Sequence, residues 1–183
     1  MSNTIEPKDI LTFWFEEHSG EDWFGGKSEF DDKVRDRFGA LVESAENSEL
    51  YSWRNTWRGR LAEVIILDQF TRQLYRGSAR AFASDALALS IAQEAVRQRL
   101  DVEMTPAQRH FLYMPYMHSE SLTIHKEAHR LFSTLRDDLL DYEIKHREVL
   151  ERFGRYPMRN EALGRKSTQE ELDYMEGKKG SMF

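Results

Sequence analysis

The chain contains no cysteine among its 183 residues. Disulfide bonds, thiolate catalysis and cysteine-based metal sites are therefore excluded. The sequence also lacks an apolar run long enough to cross a bilayer, and its first residues lack the basic start and apolar core of a secretion signal. These absences predict a cytoplasmic protein that does not enter a membrane.

Positive charge is not in excess either, because the formal net charge is −6. This balance argues against general binding to nucleic acids or acidic membranes. Charged residues make up 32% and aromatic residues 12% of the chain, which is typical of a folded, soluble protein and not of a disordered one. The length suits one domain with a sizeable core, so we expect residues 1–183 to form a single domain. The oligomeric state is left open.

The most informative stretch is residues 61–77, which is apolar on nearly every helical side through Leu67. Asp68 and Arg72 follow, and because they are four residues apart they share a helix face. An unpaired buried charge is very costly, so we expect both side chains to be buried and hydrogen-bonded. They form either a structural ion pair or the floor of a binding site. Two further polar residues of this stretch, Gln69 and Arg76, belong to the same candidate site.

Helical periodicity recurs along the rest of the chain. It predicts further helices at about 7–17, 29–46, 85–99, 119–135 and 138–153. No stretch alternates as a strand does between hairpin turns. The sequence therefore predicts an all-α fold, a single domain of about eight antiparallel helices.

Capping signals mark the start of two more helices. Thr105 is followed by a first-turn proline and by Gln108 in the capping-box position, and we expect Pro115 to kink or end that helix. Thr168 and Glu171 form a second capping box, which opens a short helix that ends at Gly177.

A second polar stretch, 111–120, holds Tyr113, His118 and Glu120 as candidate site residues. His118 follows the expected kink, where a side chain can face a cleft as a base or ligand. The alternative is that His118 makes a buried hydrogen bond and that it or Ser119 caps the next helix. The sequence does not decide between these interpretations.

His125 and His129 are four residues apart, a spacing that permits a metal pair on one helix face. Lys126 and Arg130 lie beside them and indicate a solvated face instead. No metal site is therefore predicted.

The third polar stretch, 152–168, is rich in turns and arginines. Guanidinium groups suit carboxylates and phosphates. One hypothesis brings Arg155 and Arg159 to Arg72 or Arg76, where the excess of guanidinium groups would require an anion. The alternative is that the arginines pair with acids of the chain, for example Glu148, Glu151 or Asp68. No phosphate-binding glycine loop, nucleophile elbow or dinucleotide fingerprint is present, so no cofactor is expected.

Taken together, the three polar stretches 67–72, 111–120 and 152–168 resemble an uncharacterised family, the domain of unknown function numbered 924. The resemblance extends from Phe13-Trp14-Phe15 to the Ser-Thr-Gln-Glu-Glu run at 167–171. It implies a helical fold similar to tetratricopeptide-repeat proteins and no known activity. The family pattern usually has Pro-Arg-Asn after the central Gln-Phe, where this chain has Thr71-Arg72-Gln73, and it usually has histidine where this chain has Met158. If that histidine were essential to a reaction, this protein would lack it.

Two classes of function follow. The first is a binding or scaffold module whose polar, arginine-lined groove takes an anionic peptide or small molecule. The second is a small enzyme that uses an Asp68/Arg72/His118 pocket in an unknown reaction; a deep closed pocket favours this class and an open groove the first. Because no catalytic signature stands out, binding is the expectation. The candidate binding residues are Asp68, Gln69, Arg72, Arg76, Tyr113, His118, Glu120, Arg155 and Arg159.

Overall fold

The computed structural model describes residues 4–177, which form helices and turns and, within that range, no strand. The all-α prediction is confirmed, although residues 1–3 and 178–183 of the predicted domain lie outside the described residues. The α-helices are α1 (Pro7–Thr12), α2 (Gly20–Trp23), α3 (Ser28–Glu46), α4 (Trp57–Ile65), α5 (Thr71–Leu74), α6 (Asp85–Arg97), α7 (Pro106–His118), α8 (Leu122–Phe132), α9 (Asp137–Phe153) and α10 (Gln169–Gly177). None of the helices described between residues 4 and 177 is long and apolar enough to cross a membrane.

Shorter turns connect or extend these helices. Turns of 3-10 helix lie at Tyr51–Asn55, Ala79–Phe82, Leu100–Glu103 and Pro157–Arg159. A π-helical turn, Phe13–Glu17, extends α1, and a second one, Ile66–Phe70, joins α4 to α5. We call residues 57–74, that is α4, the second π-helical turn and α5, the central helix.

The central helix is surrounded by its neighbours, because α1, α6 and α7 pack against α4 and α3 packs against the π-helical turn. Apolar side chains on opposite sides of it, including Leu61, Ile66 and Phe70, are completely buried. Each such side chain contributes about 1.5–3 kcal/mol to folding. The prediction that the central helix is buried on both sides is confirmed. The similarity to tetratricopeptide-repeat folds stays a prediction.

The expectation that Pro115 ends the helix is wrong, because α7 continues through it to His118, and the alternative, a kink, stays a prediction. Proline removes one helical hydrogen bond and usually destabilises a helix interior by about 3 kcal/mol. Here the flanking Met114, Tyr116 and Met117 are buried on the cavity side and in the core, and their packing outweighs that loss. The following helix, α8, is shorter at both ends than its sequence pattern predicts.

The third polar stretch folds back onto the core after α9. Gly154 ends α9 with a φ of +70°, a left-handed conformation that favours glycine. The chain then forms the 3-10 turn Pro157–Arg159, which α10 contacts. This reversal carries Arg159 back to the C-terminal end of α7.

Candidate functional site

A cavity of about 420 Å³ lies where the polar stretches meet. It is bounded by the α2 region, the central helix, α7, α9, residues 156–159 and α10. Its volume lies within the range of about 300–1,000 Å³ that is usual for small-molecule sites.

The cavity has an apolar rim and a buried floor. Phe24, Tyr142 and Met158 line it and are 40%, 42% and 46% exposed, whereas Met117 and His146 line it and are 3% and 2% exposed. It is therefore a pocket that opens to the surface at hydrophobic side chains and narrows to a protected interior.

The charged side chains of the lining all have the same sign. Arg72, Arg76 and Arg159 line the cavity, and no aspartate or glutamate among the described residues does. The carboxylates lie behind the arginines: Asp85 pairs with Arg72 and Arg159, and a further aspartate pairs with Arg76. A ligand that enters therefore meets guanidinium groups before it meets any carboxylate.

One carboxylate, that of Asp85 at the start of α6, orients two of these arginines. Arg72 donates to both oxygens of Asp85 at 2.8 and 2.9 Å and to the backbone oxygen of Asp68 at 2.7 Å. Arg159 donates to Asp85 Oδ2 at 3.1 Å and to the backbone oxygen of His118 at 2.9 Å. A guanidinium has five N–H groups. Within the described part of the chain, these bonds leave donors of both arginines without a protein acceptor.

The environment of Arg159 is unfavourable for its charge. Burial lowers the pKa of Arg159 from its usual value, and the nearby Arg72 guanidinium lowers it further, against the opposing effect of Asp85. The rings of Phe82 and Tyr156, 4.8 and 4.6 Å from its guanidinium carbon, offset part of this cost by cation–π attraction. An anion in the cavity would counter the repulsion between the two arginines.

A second carboxylate, Asp68, is paired with His118. Asp68 Oδ1 lies 2.7 Å from His118 Nδ1 and 3.4 Å from Arg72 Nη1, and Asp68 Oδ2 accepts a hydrogen bond of 2.6 Å from Gln69. Burial would raise the pKa of Asp68, but His118, Arg72 and Gln69 outweigh burial and hold that pKa below its usual range. Burial lowers the pKa of His118; Asp68 opposes this shift and Arg72 adds to it. At neutral pH, His118 is therefore neutral and donates its Nδ1 proton to an ionised Asp68.

The second π-helical turn places Asp68 and Gln69 at this position. In it, the N–H of Thr71 bonds to the carbonyl of Ile66, five residues back, so the turn is wider than in an α-helix. The hydroxyl of Thr71 donates to the carbonyl of Leu67 at 2.7 Å and so pairs an oxygen inside the wide turn. Turns of this type are frequent at functional sites. Regular helical periodicity does not reveal them.

Five of the sequence-predicted site residues come together here: Asp68, Gln69, Arg72, His118 and Arg159. The expectation that Asp68 and Arg72 are mostly buried and hydrogen-bonded is confirmed, since Asp68 is completely buried and both residues form hydrogen bonds. Arg72 remains about one fifth exposed, and its main partner is Asp85 and not Asp68.

Two predicted arginines are engaged elsewhere. Arg155 donates to Glu171 at 2.6 and 2.8 Å and does not line the cavity. Arg76 lines the cavity, but Asp31 of α3 accepts two hydrogen bonds from it at 2.9 and 3.1 Å. The hypothesis is therefore wrong for Arg155, whereas Arg72 and Arg159 do meet and share one acid, Asp85. The partners of Arg155 and Arg76 are Glu171 and Asp31, and not the acids suggested from the sequence, Glu148, Glu151 or Asp68.

Tyr113 and Glu120 lie away from the cavity. Tyr113 donates its hydroxyl proton to Asp101 at 2.6 Å. Glu120 accepts from Arg165 at 2.7 and 3.0 Å and from the backbone N–H of Tyr156 at 2.7 Å, so it holds the third polar stretch against the end of α7. Neither residue is in the cavity lining.

Asp85 and His146 are among the residues of the site that sequence reasoning missed. Asp85 is an acid in the first turn of α6, a position that helix-dipole electrostatics explains without a second role. His146 lies inside the charged helix α9; its Nδ1 donates to the backbone oxygen of Tyr142 at 2.6 Å, and its ring lies 6.3 Å from that of His118. Burial and the neighbouring His118 lower the pKa of His146 to about 3. The only sequence pattern that could have drawn attention to His146 is its position four residues after Tyr142, on the same helix face.

The predicted solvated face at His125 and His129 is wrong for His125, which is completely buried. Helix α9 covers it with Glu143, whose carboxylate lies 3.1 Å from His125 Nδ1 and 3.0 Å from His129 Nδ1. No group of three or more side chains placed to hold a metal ion occurs within residues 4–177.

One solved structure is similar over nearly its whole length, a protein of unknown function, ATU0120, from Agrobacterium tumefaciens. The two chains are 36% identical, the match covers 93% of this chain and 97% of that chain, and the TM-score is 0.89. No curated protein matches this chain. Residues 10–179 match a family described as bacterial protein of unknown function DUF924. The chain therefore belongs to this bacterial family, whose function is not established.

Proposed function

We propose that this protein binds a small amphipathic organic acid in its cavity. The carboxylate of the ligand lies against Arg72 and Arg159, and its apolar body lies along the hydrophobic walls and rim. One observation carries the proposal: the charged groups that line the cavity are arginines, and the acids that pair with them lie behind.

The size and shape of the cavity favour a small molecule over a peptide. A volume of about 420 Å³ with a buried floor accommodates a compact ligand, whereas a peptide could insert only an end or one side chain. Of the anionic partners expected from the sequence, the small molecule is thus better supported than the acidic peptide. A cytoplasmic location, without nucleic acid or membrane partners, is part of the same proposal and is supported by the negative net charge and the absence of cysteine.

The arginines are oriented before a ligand arrives. Asp85 fixes the plane of the Arg72 guanidinium with two hydrogen bonds and ties Arg159 to it with a third. Such preorganisation reduces the entropy lost on binding. A carboxylate that accepts from the remaining N–H groups gains charge-assisted hydrogen bonds, each worth about 1.5–3 kcal/mol.

The hydrophobic part of the lining supplies the rest of the affinity. Phe24 and Met158 at the rim and Met114 and Val149 deeper in the cavity present carbon and sulfur atoms to the ligand. Each buried CH₂ group adds about 0.8 kcal/mol. Affinity is therefore expected to grow with the apolar body of the acid until the cavity is filled.

A thermal-shift screen tests the proposal. Aliphatic and aromatic carboxylates of increasing size are compared with inorganic phosphate and nucleotides, and the melting temperature is expected to rise with the apolar carboxylates because they bind only the folded state. Arg159→Gln is expected to abolish the shift. Arg97→Gln is the matched control, since Arg97 pairs with Glu94 on an exposed face and does not line the cavity, and it should preserve the shift. Equal loss in both variants, or no shift with any carboxylate, contradicts the proposal.

A further inference from the structure

The cavity contains a histidine in a fixed orientation. His118 Nδ1 lies 2.7 Å from Asp68, and Asp68 is itself held by Gln69 at 2.6 Å. Because an ionised carboxylate can only accept, the proton of the neutral imidazole resides on Nδ1. The lone pair of His118 is therefore on Nε2.

That lone pair is available to a ligand. His118 lines the cavity, and no residue in the range 4–177 forms a hydrogen bond with its Nε2. A histidine that lines a binding site, with its Nδ1–H oriented by a carboxylate and no protein partner on Nε2, has the arrangement of a general base.

The types of side chain in the cavity lining limit the reactions that the cavity can catalyse. Among the described residues it contains no serine, threonine, cysteine, lysine, aspartate or glutamate. The aliphatic hydroxyl, thiol, amine and carboxylate nucleophiles of covalent catalysis are thus absent from the lining. The lining instead offers an imidazole that can transfer a proton and guanidinium groups that can stabilise negative charge.

We propose that the Asp68–His118 pair removes a proton from an enolisable 2-oxo acid bound in the cavity. This proposal rests on the proposed binding function, because the carboxylate of the acid must lie against the arginines. In the step, the C–H bond next to the ketone breaks and its proton forms a bond to His118 Nε2. The electron pair becomes the C=C bond of an enolate, and the carbonyl π electrons move to oxygen. Return of the proton to oxygen gives the enol and completes a tautomerisation, whereas return to carbon regenerates the ketone; neither outcome needs an oxidant or further reactant.

The charges are placed to stabilise this enolate. Arg159 donates to the backbone oxygen of His118 at 2.9 Å, so its guanidinium lies beside the base. Arg72 Nη1 lies 3.4 Å from Asp68 Oδ1, the oxygen that also faces His118 Nδ1. Fixed cationic donors next to a developing oxyanion lower the energy of the transition state. The imidazolium that forms on His118 is paired with Asp68 at the same time.

Hydrogen–deuterium exchange of phenylpyruvate tests the proposal. The probe is incubated with the protein in D₂O, and the loss of its methylene proton signal is followed by NMR against buffer alone. A positioned general base is expected to accelerate exchange by about 100-fold or more. His118→Asn should lose this acceleration yet still bind the probe by calorimetry. His18→Asn is the matched control, because His18 also pairs with an aspartate, at 3.0 Å, but does not line the cavity; it should exchange at the parent rate.

The outcomes separate catalysis from binding. Binding without accelerated exchange overturns the base and leaves the binding site intact, whereas stabilisation by other acids but not by phenylpyruvate overturns the 2-oxo acid class. Hydrolysis of an ester analogue without exchange of the ketone contradicts proton abstraction from carbon and indicates an activated water instead.

A measurement on the parent protein does not depend on how the variants fold: long-range ¹H–¹⁵N correlations should show the proton of His118 on Nδ1, and a proton on Nε2 overturns the proposal.

Discussion

Two carboxylates behind the cavity lining, the buried Asp68 and the partly buried Asp85, have different roles. Asp68 bonds to His118 and fixes its ring, whereas Asp85 accepts from Arg72 and Arg159 and fixes their positions. Asp85 joins three separate parts of the chain, because α6 supplies the acid and the central helix and the third polar stretch supply the arginines. We infer that Asp85 matters more for stability than any other acid of the cavity.

This inference gives a prediction at the scale of one residue. Asp85→Ala removes the partner of two guanidinium groups and is expected to lower the free energy of unfolding by about 3–5 kcal/mol. Asp68→Ala should cost less, because Arg72 keeps its two hydrogen bonds to Asp85. Urea unfolding at neutral pH measures both. Glu127→Ala is the control, since its pair with Arg130 is exposed and should contribute less than about 1 kcal/mol. An equal effect of all three substitutions would refute the ranking.

At the scale of elements, α10 closes one side of the cavity with Tyr174 and is held by Glu171. The carboxylate of Glu171 accepts from Arg155 at 2.6 and 2.8 Å, from the N–H of Thr168 at 2.8 Å and from Asn160 at 3.2 Å. The hydrogen bond from Arg155 and the one from the Thr168 backbone lower the pKa of Glu171 from 4.5 to about 2. The capping box predicted from the sequence is thus also the attachment of α10 to the third polar stretch.

The lowered pKa of Glu171 predicts how this attachment depends on pH. An acid whose pKa is depressed by folding contributes stability that is complete above the unfolded pKa, near 4.5, and is lost as pH falls to about 2. Glu171→Gln should therefore be less stable than the parent at pH 7, and the difference in free energy of unfolding should shrink as pH falls from 4.5 to 2. Urea unfolding across this range checks the prediction. Glu170→Gln is the neighbouring control: its pair with Arg152 is exposed, so its difference from the parent should be small throughout. A constant deficit for Glu171→Gln would show that its ionisation is irrelevant.

At the scale of the whole molecule, sequence patterns predicted the helices and the meeting of Asp68, Arg72, His118 and Arg159. This meeting was predictable because the buried polar residues of the central helix need hydrogen-bond partners, and only two other polar stretches of the chain could provide those partners. The partners themselves were not predictable, as Asp85 shows: an acid in a first helical turn has a local explanation, and its contact with Arg159 spans 74 residues.

The direction of single side chains was also beyond sequence reasoning. Arg155 and Arg159 are four residues apart in a turn-rich segment, where no helical period relates their faces. One points to α10 and the other to the cavity. The π-helical turn at Ile66–Phe70 likewise depends on tertiary packing around the central helix, and helical periodicity cannot detect an added residue in a turn.

Calorimetric titration with phenylpropionate and with its neutral amide, phenylpropionamide, is the most direct test of the central claim. The two ligands have the same apolar body, so the difference in their affinity measures the contribution of the carboxylate at the arginines. We expect the acid to bind at least about tenfold more tightly, a difference of about 1.4 kcal/mol, with a negative heat-capacity change from burial of the ring. Equal affinities for the acid and the amide, or binding of neither, would contradict an anion-selective cavity.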